Sequence, residues 1–259
     1  MYEIYGNADS DEIIIAIPAL AERKEMFLPL AARMNNYKWI AFDLPGSNKE
    51  QMDDYSIPNF CKLIKSTLIK LNIKKAHFIG NSIGAWIIQA FAATYSEHVK
   101  SIALLDGGHY FLGERDAAYE YVELPTAIEK IQDIKDAIRE LTYSMPNLND
   151  DNYINFEQYF LNNYIKLGEF YAHHCDEVAY NSLSKEVSKV DYCLKETSLP
   201  MLLLIAGASA DQVSFDKSFL FNKNHDQAIV TLVQDGQHYL PLTNTDTIEK
   251  SLTSFYQSL

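Results

Sequence analysis

The sequence predicts an α/β protein: a mostly parallel central sheet with helices on both faces and a helical segment inserted into it. Three observations carry this expectation. Short apolar runs rich in Ile, Leu, Val and Phe alternate with stretches of helical periodicity. The runs are continuous rather than alternating, so they suit strands covered on both faces. The alternation then stops from about Tyr110 to Glu196 and resumes afterwards.

The elements follow in order. Ile13-Ile14-Ile15-Ala16-Ile17 is a β-branched run with acidic flanks, ended by Pro18-Ala19-Leu20. Glu25 to Met34 reads as a short helix with Phe27, Leu30 and Ala31 inward and Pro29 near its start. Trp39-Ile40-Ala41-Phe42 is a second buried strand, closed by the breaker-rich loop Asp43-Leu44-Pro45-Gly46-Ser47. Phe60, Leu63, Ile64, Thr67, Leu68 and Leu71 recur at helical spacing. A strand from Ala76, the turn Gly80-Asn81-Ser82-Ile83-Gly84 and a helix from Ala85 to Tyr95 come next. The strand Val99 to Leu105 ends at Asp106-Gly107-Gly108-His109.

Residues 110–196 show no convincing strand, only helical stretches such as Ala127 to Tyr143 and Phe156 to Tyr171, with Pro125 and Pro146-Asn147-Leu148-Asn149 as punctuation. Ten of the chain's 17 tyrosines lie there, most of them suited to helix packing. The expected organisation is a core of 1–109 and 197–259 with a cap over 110–196. An insert after a strand's C-terminal end sits over the crevice where open sheets bind ligands. The sheet resumes at Met201 to Gly207, followed by a loop with Asp211. Ala228 to Val233 is a last strand, Gly236-Gln237-His238-Tyr239 its loop, and Thr245 to Leu259 a terminal helix.

With 259 residues the chain can bury one large core. Its 35 acidic and 22 basic residues, a formal charge of -13, are spread along the chain and argue against nucleic acid or an anionic membrane as partner. No stretch approaches the roughly 18 apolar residues of a membrane span, and the first residues show no signal pattern, so the expectation is a cytoplasmic protein. Cys61, Cys175 and Cys193 are odd in number and widely spaced, which fits reduced thiols. Composition leaves the oligomeric state open.

Ser82 carries the chemistry. Glycines two before and two after it let strand and helix backbones crowd together and expose the hydroxyl in a strained turn. The bland alternative is a structural turn whose serine caps the next helix. A serine hydroxyl needs an imidazole to take its proton, and the imidazole needs a carboxylate to hold its tautomer. Ser82, Asp211 and His238 stand in that order at the ends of three predicted strands. Asp106 is the alternative acid. Asp211 is preferred because Ala208-Ser209-Ala210 is a flexible approach, whereas the two glycines after Asp106 suit a tight turn.

These stretches together resemble the α/β-hydrolase fold superfamily over almost the whole chain. Asp43-Leu44-Pro45-Gly46-Ser47 is similar to its Asp-x-Pro-Gly-x-Gly loop, with Asn48 in place of the last glycine. Gly80-Asn81-Ser82-Ile83-Gly84 resembles the nucleophile elbow, with Asn81 where histidine is more usual. Leu202 to Asp211 resembles the acid loop, and Gly236 to Leu242 the histidine loop. The resemblance implies hydrolytic activity and a mobile cap. It implies an oxyanion hole from the backbone N–H groups of Leu20 and Ile83, although Pro18-Ala19 stands where the family has His-Gly.

The remaining histidines read differently. His173 and His174, taken as neighbours on a helix, point about 100° apart and suit packing rather than chelation. His77 reads as structural, and His109 at a strand end as a substrate contact. No phosphate loop, metal-ligand spacing or dinucleotide fingerprint is present, and this chemistry needs no cofactor. The expectation is a serine hydrolase acting on a small or medium carboxylic ester, thioester or lactone through an acyl-enzyme. The alternatives are a cofactor-free carbon-carbon hydrolase or perhydrolase on the same residues, and a ligand-binding signalling receptor.

Overall fold

A computed structural model describes residues 1–115, 120–143, 145, 150–195 and 197–259. Its main sheet has the order β1 (Tyr2–Gly6), β3 (Lys38–Phe42), β2 (Ile13–Ile17), β4 (Ala76–Asn81), β5 (Val99–Leu105), β8 (Met201–Ala206), β9 (Ala228–Val233). All pairings are parallel except that of β1 with β3. The edge strand β1 escapes the sequence pattern because it is half exposed and carries Glu3 among apolar neighbours.

Burial on both faces explains the continuous runs. Ile13, Ile15 and Ile17 enter one apolar cluster with α2 (Ile57–Lys70) and α3 (Ile83–Thr94). Ile14 and Ala16 enter the other, with α1 (Leu28–Arg33) and α8 (Thr245–Gln257). The α2 helix starts on a Ser56 cap, whose side chain accepts from the Asn59 N–H at 3.3 Å, and has Pro58 in its first turn. The Glu25-to-Met34 stretch divides: a 3₁₀ turn at Lys24–Phe27 precedes α1, and Pro29 falls in the first helical turn, where its missing N–H costs nothing.

Between β5 and β8 lie α4 (Ile131–Thr142), α5 (Asp150–Leu161) and α6 (Glu177–Lys189). One expectation fails here. The helix over Phe156 to Tyr171 stops at Leu161, and a hairpin of β6 (Tyr164–Leu167) and β7 (Phe170–His173) follows. Gly168, at φ +64°, supplies the left-handed residue of its two-residue turn. His173 therefore ends a strand and His174 follows it, both buried. The Pro146 to Asn149 punctuation and the Glu196 boundary lie outside the described residues.

The insertion docks on the loop after β3. The Asp176 N–H donates to the Gly46 carbonyl at 2.8 Å, and the Lys49 N–H to the His174 carbonyl at 2.8 Å. Gly46 has φ +85°, and a Cβ there would meet Ala179 Cβ at 2.2 Å, so only glycine fits. Asn48 has φ +56°. It occupies the left-handed conformation that a glycine would fill, and asparagine is among the few residues that tolerate it. Among the described residues no helix is long and apolar enough to cross a membrane.

Candidate active site

Parallel pairing brings the C-terminal ends of β2, β4, β5, β8 and β9 to one edge, and the candidate residues lie in the loops there. Ser82 stands between β4 and α3 with φ +52° and ψ -122°, a conformation rare outside glycine. Its side chain makes no capping bond to α3, so capping does not account for a serine here. The turn is crowded on three sides. A Cβ on Gly80 would lie 2.3 Å from Gly84 backbone atoms, one on Gly84 2.3 Å from the Ile17 carbonyl oxygen, and one on Gly107 2.5 Å from the Ser82 carbonyl oxygen.

The histidine and its carboxylate are joined across the edge. His238 Nδ1 lies 2.6 Å from Asp106 Oδ2. The sequence reading preferred Asp211 for this contact, and the structure corrects it. Asp106 has φ +47°, which turns its carboxylate away from the run of β5. Its N–H donates to the Leu204 carbonyl at 2.8 Å, and its Oδ1 accepts from the Ala206 N–H at 2.9 Å, so both ends of the residue are held by β8. Asp211 is occupied elsewhere. It is the N-cap of α7 (Gln212–Asn224), where Oδ1 accepts from the Ser214 N–H at 2.9 Å and from Arg115 at 3.1 Å.

Ser82, Asp106 and His238 line one cavity of about 280 Å³ with Trp86, His109 and Tyr110, and Arg115 and Asp211 form part of its wall. The Asp106 side chain is 9% exposed and that of His238 42%, so the imidazole is open to a ligand and its carboxylate is not. His109 separates this cavity from a larger one of about 500 Å³ that reaches Lys217 and His225. Its Nε2 sits 3.1 Å from Ser214 Oγ, and burial holds its pKa below the usual histidine value.

Ile83 is the first residue of α3, so its N–H is one of the four without an intrahelical acceptor. Leu20 does not line the cavity. Its loop nevertheless reaches the elbow, because the absent side chain of Gly84 lets the Ile17 and Pro18 carbonyls close on α3. His77 is structural in its contacts, with Nδ1 2.7 Å from Ser101 Oγ, and burial lowers its pKa to about 4.

Three residues that pattern reading missed complete the site. Arg115 donates to Tyr110 Oη at 2.7 Å besides its bond to Asp211. Asn81, fully buried, donates through Nδ2 to the carbonyls of Leu105 and His238, both at 3.1 Å, and so ties the histidine loop to β5. Glu22 is a buried carboxyl behind the Leu20 turn. Asn81 carried a signal, as a polar residue in an otherwise apolar stretch, whereas Glu22 is masked by Arg23-Lys24-Glu25 after it. Arg115 carried none.

The sequence profile of the alpha/beta hydrolase fold family matches residues 5–239. Among curated proteins, the chain is 35% identical over 83 residues to "Probable lysophospholipase BODYGUARD 5" of Arabidopsis thaliana, covering 30% of this chain and 19% of that protein. It is 26% identical over 150 residues to the human monoacylglycerol lipase ABHD6, covering 54% and 44%. The matches thus span less than half the length of these curated relatives. Among solved structures, an E-2-(acetamidomethylene)succinate hydrolase superposes with a TM-score of 0.81 at 17% identity, over 99% of this chain and 94% of that one. A family profile that runs through the strands, the elbow and the histidine loop, on a sheet of matching topology, leaves one conclusion: this chain belongs to the α/β-hydrolase fold family.

Proposed function

We propose that this protein is a serine hydrolase that cleaves a small carboxylic ester or thioester through an acyl-enzyme. The observation that carries the reading is the strained Ser82 turn opening into the same cavity as a His238 imidazole already bonded to a buried carboxylate. His238 takes the Ser82 proton as Oγ attacks the carbonyl carbon, and the carbonyl π electrons move onto oxygen. Asp106 holds the Nδ1–H tautomer and stabilises the imidazolium. The N–H groups of Leu20 and Ile83 receive the oxyanion. His238 then protonates the leaving group, and by the same route activates water against the acyl-enzyme. A lipase and a lysophospholipase among the relatives support ester chemistry, and a cavity of about 280 Å³ supports short acyl groups over long ones.

A fluorophosphonate label followed by a panel of 4-nitrophenyl esters tests this. The wild type is expected to take one label on Ser82 and to prefer short chains. Ser82→Ala is expected to take none and to lose turnover by several orders of magnitude with its fold intact. Retention of more than about a tenth of wild-type kcat would exclude Ser82 as the nucleophile.

A further inference from the structure

The loop from Ala19 to Arg23 carries the Leu20 amide and is strained, with Ala21 at φ +65°. A non-glycine residue is disfavoured in this region and persists only where its surroundings hold it. The loop has its own Glu22 N–H bond to the Ala19 carbonyl at 3.0 Å and an Arg23–Asn48 bond at 3.3 Å, and the remaining side chains that hold it come from the insertion. Tyr159 Oη donates to Glu22 Oε2 at 2.7 Å and accepts from the Arg23 N–H at 3.0 Å. Asn163 Nδ2 donates to the same Glu22 oxygen at 2.9 Å. His174 accepts the Asn48 N–H on Nδ1 at 3.3 Å, which leaves its Nε2–H to donate to the Ala21 carbonyl at 2.9 Å.

All four side chains are buried: Glu22 is 6% exposed, Tyr159 8%, Asn163 1% and His174 fully enclosed. Burial raises the Glu22 pKa to about 7 and lowers that of His174 to about 4. A buried ionisable group costs stability unless paired, and a glutamine could accept from the same two donors without a charge to bury. Neither cavity at the sheet edge includes Glu22. Its side chain instead joins Tyr159 and Asn163 to the turn that carries Leu20.

We propose that Glu22, Tyr159, Asn163 and His174 form a positioning clamp through which the insertion fixes the 19–23 loop and aims the Leu20 N–H at the oxyanion. This rests on the acyl-transfer reading of Ser82. The insertion then has two duties: its first residues, Tyr110, Leu112 and Arg115, wall the cavity, and its later ones complete the hole from behind. Neither Tyr159 nor Glu22 lines the cavity, and both act as positioning residues. Misplacing a donor by about 1 Å lowers rate by up to about 10²-fold, and the loss falls on the transition state rather than on bound substrate.

Tyr159→Phe and Glu22→Ala are compared with wild type on a short 4-nitrophenyl ester, with Glu22→Gln as the conservative control. A trifluoromethyl ketone is the probe for the hole. Ser82 Oγ bonds to its carbonyl carbon, the proton passes to His238, and the former carbonyl oxygen becomes the bound oxyanion. Tyr159→Phe and Glu22→Ala are expected to lose ~10- to 100-fold in kcat with KM within about twofold, and to lose ketone affinity by the same factor. Amide hydrogen exchange over 19–23 is expected to speed up in both. Glu22→Gln, whose amide oxygen still accepts from Tyr159 and Asn163, is expected to recover most of the loss.

Faster exchange with unchanged kcat and ketone affinity would overturn the clamp, as would a loss confined to KM. If Glu22→Ala does not fold, the isosteric Tyr159→Phe decides the matter alone. The parent reading fails separately: a wild type that resists the fluorophosphonate, together with an active Ser82→Ala, overturns acyl transfer and takes the clamp's role with it. A labelled wild type with unimpaired clamp variants overturns only the clamp.

Discussion

At the scale of single residues, the two aspartates on the cavity wall are separated by what already binds them. Asp106 spends one oxygen on the Ala206 N–H and the other on His238, whereas Asp211 is engaged by a helix N-terminus and Arg115. Asp106→Asn is therefore expected to lower kcat on the order of 10⁴-fold, because the imidazole loses the partner that holds its tautomer. Asp211→Asn keeps a good N-cap residue and is expected to stay within about tenfold. Steady-state kinetics at matched stability check this, and a reversed pattern would return the role to Asp211. Glu22 gives a second prediction, on pH. Burial raises its pKa from 4.5 to about 7, the Tyr159 and Asn163 bonds and the charge of His238 opposing. Burial first, and this carboxylate after it, raise the pKa of Tyr159, Tyr164, Tyr239 and Cys175 around it. A carboxyl raised on folding favours the fold while protonated. Its contribution is full below about pH 4.5 and is lost as pH climbs to 7. Urea unfolding at pH 5 and 8 should show the wild type losing roughly 2–3 kcal/mol relative to Glu22→Gln. A pH-independent difference would mean that Glu22 titrates normally.

At the scale of elements, the elbow depends on how closely α3 approaches β2 and β4. Every residue from Ile83 to Ala92 is buried, so this helix has no free side toward which to shift. Alanine ordinarily improves a helix over glycine by about 1 kcal/mol. At position 84 the added Cβ meets the Ile17 carbonyl oxygen at 2.3 Å, a backbone atom that cannot swing aside. Gly84→Ala is accordingly expected to destabilise by roughly 1–3 kcal/mol and to displace the Ile83 amide, with a fall in kcat larger than the change in KM. Denaturant unfolding beside kinetics tests both, and an alanine variant as stable as wild type would show that the contact relaxes cheaply.

At the scale of the whole molecule, the cavity lies between the sheet edge and the stretch that follows β5. Tyr110 and Trp86 meet edge to face at 6.3 Å, and the Trp86 indole donates to the Tyr110 carbonyl at 3.0 Å, so this stretch sits on α3 beside Ser82. Tyr110 also lies on the boundary with the larger cavity. Tyr110→Ala should therefore join the two spaces. The ratio of kcat/KM for an eight-carbon over a two-carbon 4-nitrophenyl ester is expected to rise by about 10-fold or more, from the apolar contacts opened to the chain. An unchanged ratio would place the acyl group elsewhere.

The sequence by itself determined the β2, β3, β4, β5, β8 and β9 strands and most of the helices packed on them, because a strand buried on both faces can be built only from a continuous apolar run. It marked Ser82 through its flanking glycines and His238 through its place after the last strand. Edge strand β1 and hairpin β6–β7 were illegible for the opposite reason: they are short and half exposed, and their pairing depends on partners far along the chain. Only the tertiary structure decided which of Asp106 and Asp211 meets His238. Both follow strands that end at the same edge, and the choice turns on the direction of one carboxylate, set by the left-handed backbone at Asp106 and by the N–H groups of β8 and α7. The engagement of the 19–23 loop by Tyr159, Asn163 and His174 was equally beyond sequence, since hydrogen bonds spanning about 140 positions leave no local periodicity to read.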